Sequence, residues 1–283
     1  MLICTTHNDL IQYLNPLRQR GLTIGFVPTM GALHAGHIAL VMQSMLHNDV
    51  TICSIFINPT QFNNEQDFLK YPVTLEHDKL LLTQAGCQVL WLPTLQEVYP
   101  NGLSQLKKYA FGYIETVLDG AARPGHYQGV GNVVEKLLHV VQPHNAYFGL
   151  KDYQQCLIIK KLIKIMQWEH ILTVHLCPTY REPNGLAMSS RNQRLTQAQR
   201  LLAPLLYQKL CYIKAQLNTH NQASLLQLCI VALEQVGFVV DYISIANAST
   251  LELIPQWNGK QPSVCLLAAF IGDIRLIDNV MIP

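Results

Sequence analysis

Short apolar runs recur along the first two thirds of the chain, separated by stretches in which apolar residues keep helical spacing. Residues 22–27, 50–57, 89–92, 146–148 and 172–176 predict strands buried on both faces. Between them, residues 38–47, 74–85, 130–141 and 154–166 predict helices. Strands alternating with helices give βαβ units and a parallel sheet covered on both faces, with ligands beyond the carboxyl ends of the strands. The pattern changes after Pro178. A long helical stretch starts at Thr196, with Gln199 at its third helical position, and a second spans 224–236, ending before Gly237. Residues 239–245, 264–270 and 274–277 then read as strands with no long helix between them. The expectation is an α/β domain over residues 1–177 and a small α+β domain over 178–283.

Composition sharpens this picture. A chain of 283 residues exceeds one comfortable core, and with 49% hydrophobic and only 13% charged residues much of it must be buried. A net charge of +2 supplies no field of the kind nucleic-acid binders use, and Lys160, Lys161 and Lys164 read as one solvated helix face. The eight cysteines, at 4, 53, 87, 156, 177, 211, 229 and 265, show no metal-ligand or redox spacing and read as small buried hydrophobes of a reducing compartment. No basic segment followed by a long apolar core marks a secretory leader, and no apolar run approaches bilayer length. The expected protein is soluble and cytoplasmic, with neither nucleic acid nor membrane as partner.

The densest chemistry follows the 22–27 run, in Pro28-Thr29-Met30-Gly31-Ala32-Leu33-His34-Ala35-Gly36-His37. Strand, turn and helix start in that order leave helix amides facing a ligand, and the helix dipole favours an anion there. His34 and His37, one helical turn apart, share a face and suit a phosphate chain that gains charge during reaction. The same spacing also suits a shared zinc ion, although no third ligand is evident. Asn58 and Gln61, after the 50–57 run, offer uncharged donors and acceptors for a hydroxy acid. Downstream, Tyr71 and Asp78 are candidates for an aromatic wall and a Mg²⁺-facing carboxylate. Arg123, in a glycine-rich stretch ending at Gly129, could grip an anion, and the stretch reads equally as a surface loop. Gly149-Leu150-Lys151-Asp152-Tyr153-Gln154-Gln155 puts a lysine for phosphate, an aspartate for ribose or metal and a glutamine for substrate at another strand end. Met188-Ser189-Ser190-Arg191 adds hydroxyls and an arginine that could close over a triphosphate.

Taken together, and with Gly272-Asp273-Ile274-Arg275-Leu276-Ile277-Asp278-Asn279, these stretches resemble the pantothenate synthetase (pantoate–β-alanine ligase) family over residues from about 20 to 280. The resemblance implies a Rossmann-like nucleotidyltransferase domain with a small C-terminal lid, usually dimeric. It implies a two-step reaction: pantoate and ATP form pantoyl adenylate and pyrophosphate, and β-alanine then displaces AMP. Residues 30–37 would bind ATP, with His34 and His37 on the phosphates and His37 the general acid. Gly149, Leu150, Lys151, Asp152, Tyr180, Met188, Ser189, Ser190 and Arg191 would complete the nucleotide site. Gln61 and Gln155 would hold pantoate, with Asn58 nearby and Gln61 also meeting β-alanine. Leu150 stands where Glu or Gln is common, and Asn184 where Asp is common. Within the same class, a cytidylyl- or adenylyltransferase is the alternative. From another class, the alternative is a non-catalytic nucleotide-binding module.

Overall fold

Six strands form one all-parallel sheet: β1 (Leu2–Cys4), β2 (Ile24–Thr29), β3 (Val50–Ile55), β4 (Val89–Trp91), β5 (Asn145–Gly149) and β6 (Thr173–Cys177), in the order β1-β4-β3-β2-β5-β6. The structure is a computed structural model and describes residues 1–218 and 220–282. Thr219 and Pro283, both inside the region expected as the 178–283 domain, lie outside the described residues.

Alternate side chains of each strand enter two different cores, as the pleat requires. Ile24, Phe26, Ile52 and Trp91 pack on one face with Leu10 and Leu14 of helix His7–Gln19 and with the helices His126–Val141 and Tyr153–Ile165. Val27, Cys53, Leu90 and Tyr147 pack on the other with Leu40 and Val41 of helix Ala35–His47 and Leu82 of helix Leu75–Gln84. β2 to β5 are largely buried on both faces, as expected. β6 differs: it is an edge strand and only Cys177 in it is buried.

β1 and helix His7–Gln19 are absent from the apolar pattern. The interior Pro16 argues against a helix, while the signals for one are Thr6 and Asp9, which cap each other reciprocally, and Leu10 and Leu14 on one face. Lys160 and Lys164 are exposed, but Lys161 is not part of a solvated face: its Nζ donates to the Phe111 carbonyl at 2.6 Å. All eight cysteines are free, and seven are buried.

The C-terminal region forms a separate antiparallel sheet in the order β7 (Phe238–Asn247), β8 (Ser263–Ile271) and β9 (Ile274–Ile282). It packs on helices Leu205–Gln216 and Gln222–Glu234 through its own core, including Leu210, Ile213, Leu233 and Leu267. The long helix expected from Thr196 is capped as read, by Thr196 and Gln199, but divides into Gln197–Leu202 and Leu205–Gln216. Pro204 has no N–H to continue the first segment. A further apolar cluster, with Leu118, Tyr153, Leu251 and Leu266, joins the two sheets, and Leu150 packs against it. The fold is thus the Rossmann-like core with a small α+β unit that the sequence implies.

Candidate active site

β2 pairs with β3 on one side and β5 on the other, so chain direction across the sheet reverses beside β2. That reversal opens a crevice beyond the carboxyl ends of β2 and β5, the place where doubly wound sheets bind ligands. A cavity of about 210 Å³ occupies it. It is lined by Met30, His34, Gly36 and His37 after β2, by Gln61 after β3, and by Gly149, Lys151, Asp152 and Gln155 after β5. Tyr180, Met188, Ser189, Ser190 and Arg191 close the opposite side. Stretches far apart in sequence therefore meet at one point.

The two imidazoles lie with centroids 4.0 Å apart. Nδ1 of His34 accepts the Gly36 N–H at 3.2 Å, and Nδ1 of His37 accepts the His34 N–H at 3.3 Å. Each ring caps its helix through Nδ1, so the proton of each neutral ring sits on Nε2. Burial, the neighbouring imidazole and Lys151 push His34 down to about 2, and burial and Lys151 push His37 down to about 4. Both rings are therefore neutral N–H donors at pH 7.

The amides of the turn are used differently from the expectation. Gly31 donates to Thr29 Oγ1 at 3.2 Å, and Ala32 and Leu33 donate to the Asp78 carboxylate at 2.9 and 2.8 Å. With His34, Gly36 and His37 also paired, most of the expected anion-binding amides are already hydrogen-bonded. The cavity's remaining donors include the imidazole and lysine side chains. Asp78 itself, read as facing Mg²⁺, is buried and accepts a third bond from Thr74 Oγ1 at 2.9 Å. It anchors the loop and does not line the cavity. Gly31 and Ala32 both adopt positive φ, +80° and +49°, and a side chain at Gly31 would press on Ile55 at 2.9 Å. That backbone is held in place by the Asp78 bonds.

Asn58 is buried behind the cavity. Its Oδ1 accepts from Tyr99 Oη at 2.8 Å, and its Nδ2 donates to Gln61 Oε1 at 3.1 Å and to the Gly129 carbonyl at 3.2 Å. Asn58 therefore orients Gln61 and does not face a ligand. Leu150 also points elsewhere, into the cluster between the sheets, so an apolar residue suits that position. Asn184 accepts the Leu186 N–H at 3.1 Å, a turn role that needs no charge. Ser190 donates to the Ala32 carbonyl at 3.0 Å, tying its loop to the histidine turn. Asp152 is ionised: burial raises its proton affinity, but Lys151, 3.4 Å away, and Arg191 outweigh that.

Tyr71 lines the cavity as the aromatic wall expected of it, but sequence reading missed the rest of the apolar wall, Phe56, Phe148 and the helix positions Val130, Val133, Val134 and Leu137. The 3–4 spacing of those helix residues was visible, but only as a core face. It also missed His126, whose Nδ1–H donates to the Gln61 carbonyl at 2.7 Å while Nε2 accepts from Arg123 at 3.1 Å. Burial and Arg123 push this ring down to about 3, so it is neutral as well. Arg123 is thus a support for Gln61 and, with Arg191, lines a second cavity of about 390 Å³ adjoining the first. Asp67 holds Arg191 by bonds of 2.6 and 3.3 Å.

The three site rings, together with His7 and His175, whose proton affinity burial also lowers, make the fold sensitive to acid. Free imidazole protonates near 6.5, so below that pH the unfolded chain takes up protons that the folded chain refuses. Stability is complete above pH 6.5 and falls with pH by about 1.4 kcal/mol per unit for each site ring. The melting temperature is expected to drop between pH 7.5 and 5.5, before carboxylates titrate, and His126→Asn is expected to flatten the profile. A melting temperature constant over that interval contradicts neutral burial.

A doubly wound sheet that gathers neutral and cationic donors at its switch point belongs to the phosphate-handling α/β proteins. The family model of Pantoate-beta-alanine ligase matches residues 2–281, and the chain belongs to that family. It is 42% identical over 282 residues to the pantothenate synthetase of Azobacteroides pseudotrichonymphae, covering 99% of each chain. The pantothenate synthetase of Thermus thermophilus superposes with a TM-score of 0.88 at 37% identity, over 99% of both chains. The pantoate-beta-alanine ligase of Francisella tularensis, solved in complex with beta-gamma ATP and beta-alanine, gives 0.82 at 37% identity over 99% of this chain and 97% of that one. Among the described residues no group of three or more His, Cys, Asp or Glu is placed to hold a metal. No helix among them is long and apolar enough to cross a membrane.

Proposed function

We propose that this chain condenses pantoate with β-alanine, cleaving ATP to AMP and pyrophosphate through pantoyl adenylate. The observation that carries the reading is the switch-point cavity, which unites His34, His37, Gln61, Lys151, Asp152 and Gln155 from three strand ends. In the first step a carboxylate oxygen of pantoate attacks the α-phosphorus of ATP, the bond to the β-phosphate oxygen breaks, and pyrophosphate leaves. Negative charge grows on the phosphates. The Nε2–H groups of His34 and His37, Lys151 and Arg191 offset it, each from a position fixed before the reaction. His37 acts as a hydrogen-bond donor here; proton transfer from it would require bound phosphate to raise its proton affinity well above 4. Gly149, Asp152, Tyr180, Met188, Ser189 and Ser190 complete the nucleotide side.

Gln61 and Gln155 hold the hydroxyl and carboxylate of pantoate, and the valine wall takes its two methyl groups. In the second step the neutral amine of β-alanine attacks the acyl carbon, the bond to AMP breaks, and the amine loses a proton to solvent. A mixed anhydride hydrolyses in water, so closure of the C-terminal unit protects it. We read residues 1–177 as the nucleotide- and pantoate-binding domain and 178–283 as that lid. Mg²⁺ supplies charge neutralisation on the triphosphate when bound. The donor set fits an ion carried mainly by phosphate oxygens, with the ionised Asp152 as the protein carboxylate in the cavity. The enzyme is read as cytoplasmic, with small-molecule substrates and no nucleic acid. It is also read as a homodimer; Met42 and Leu46, exposed four residues apart on helix Ala35–His47, are apolar surface that such a partner could cover.

The test is product analysis. With ATP, pantoate, β-alanine and Mg²⁺, AMP and pantothenate are expected in equal amounts. Without β-alanine, labelled pyrophosphate is expected to exchange into ATP only when pantoate is present. Release of a nucleotide conjugate in place of AMP would identify a nucleotidyltransferase, and no turnover would leave a binding module.

A further inference from the structure

One motif of the sequence, ending in Asp278-Asn279, supplies no side chain to the switch-point cavity, yet both residues are buried. They are consecutive on β9, so their side chains leave the strand on opposite faces. Asp278 accepts two bonds from the guanidinium of Arg181, at 2.6 and 2.9 Å. Arg181 also donates to the Gly185 carbonyl at 3.1 Å and lies 3.5 Å over the Tyr207 ring, and its backbone bridges to Ala187. Asp278 thus anchors the short hairpin that runs into Met188 and the serine–arginine loop. On the other face, Asn279 Nδ2 donates to the carbonyls of Leu150 and Lys151, at 2.9 and 3.0 Å. Both hydrogens of one amide group are used to hold two successive carbonyls of the turn from which Lys151 projects.

We propose that Asn279 is a positioning residue for Lys151, and that with Asp278 it brackets the lysine turn against the serine–arginine loop. The inference rests on the reading of Lys151 as a phosphate donor. A lysine side chain is a flexible stem, so its ammonium is placed only as well as its backbone is. The Leu150–Asp152 turn is a single short 3₁₀ segment whose first residue packs, partly buried, against the inter-sheet cluster. The next residue, Lys151 itself, is gripped at its carbonyl by Asn279. Because the grip comes from β9, the C-terminal sheet helps to build the site.

The experiment is single-turnover formation of pantoyl adenylate by the full chain. Asn279→Ala is expected to lower the maximal rate about 10²-fold, the cost typical of a misplacement near 1 Å, with half-saturating pantoate changed less than about threefold. In a Lys151→Ala background the same substitution is expected to add less than about a threefold loss, because a residue acting through Lys151 has nothing left to position. If Asn279→Ala does not fold, Asn279→Asp, of equal shape but lacking both donors, takes its place. A near-normal rate in a folded Asn279 variant, or losses that multiply in the double variant, overturns the proposal. Near-normal adenylation by Lys151→Ala alone overturns the reading of Lys151, and the positioning proposal with it.

Discussion

His37→Ala is expected to lower pantoyl-adenylate formation by about 10²–10³-fold, the usual loss for one fixed donor to a developing anion. The alanine removes two things, the Nε2–H that faces the cavity and the Nδ1 acceptor that caps the His34 amide. Loss of a cap costs only about 1 kcal/mol of stability. His37→Asn separates the two, since its carbonyl can still accept the His34 amide while nothing reaches as far as Nε2. Both variants are expected to melt within a few degrees of the parent and to lose adenylation alike. Should the asparagine variant retain most of the activity, the ring would serve the helix and not the phosphates.

Gly129→Ala is expected to be strongly damaging, as only Gly120 in the N-terminal region is as tightly obstructed by backbone. A Cβ at that position would lie 2.1 Å from the Thr60 carbonyl oxygen and 2.7 Å from the Gln61 amide nitrogen. The obstruction is backbone, so no side chain can swing aside. Either helix His126–Val141 or the Pro59–Gln61 turn must move, and each lines part of the cavity proposed to hold pantoate. A stability loss of about 3 kcal/mol or more is anticipated, as for overpacked cores, together with a raised pantoate KM in whatever folds. Unchanged melting with an unchanged KM would show that the helix has room to retreat.

Much of this architecture is legible in the chain before any coordinates. The buried strands announce themselves as apolar runs, and Gly31 and Gly149 mark where β2 and β5 stop, although β2 continues through Pro28 to Thr29. What the pattern conceals is partnership. Asp78 looks like a metal carboxylate because the amides that donate to it are 46 and 45 residues away and invisible as sequence. Asn58 looks like a ligand contact for the same reason, since its hydrogen bonds to Tyr99 and Gly129 form only in the fold. The valines of the wall are hidden in a different way. A helix face that borders a cleft has the same spacing as one that borders a core, and only the missing neighbour distinguishes them.

If that valine wall takes the methyl groups of the acid, as proposed, it also limits the fidelity of the enzyme. Apolar surface rewards any shape that fills it, and an absent methyl costs an analogue only about 1–3 kcal/mol. Analogues of the acid with one branch trimmed would therefore be discriminated weakly by the wall. On the proposed reading, rejection of the wrong acid would fall to Gln61 and Gln155, and metabolic accuracy in this step would be a matter of amide hydrogen bonds more than of fit.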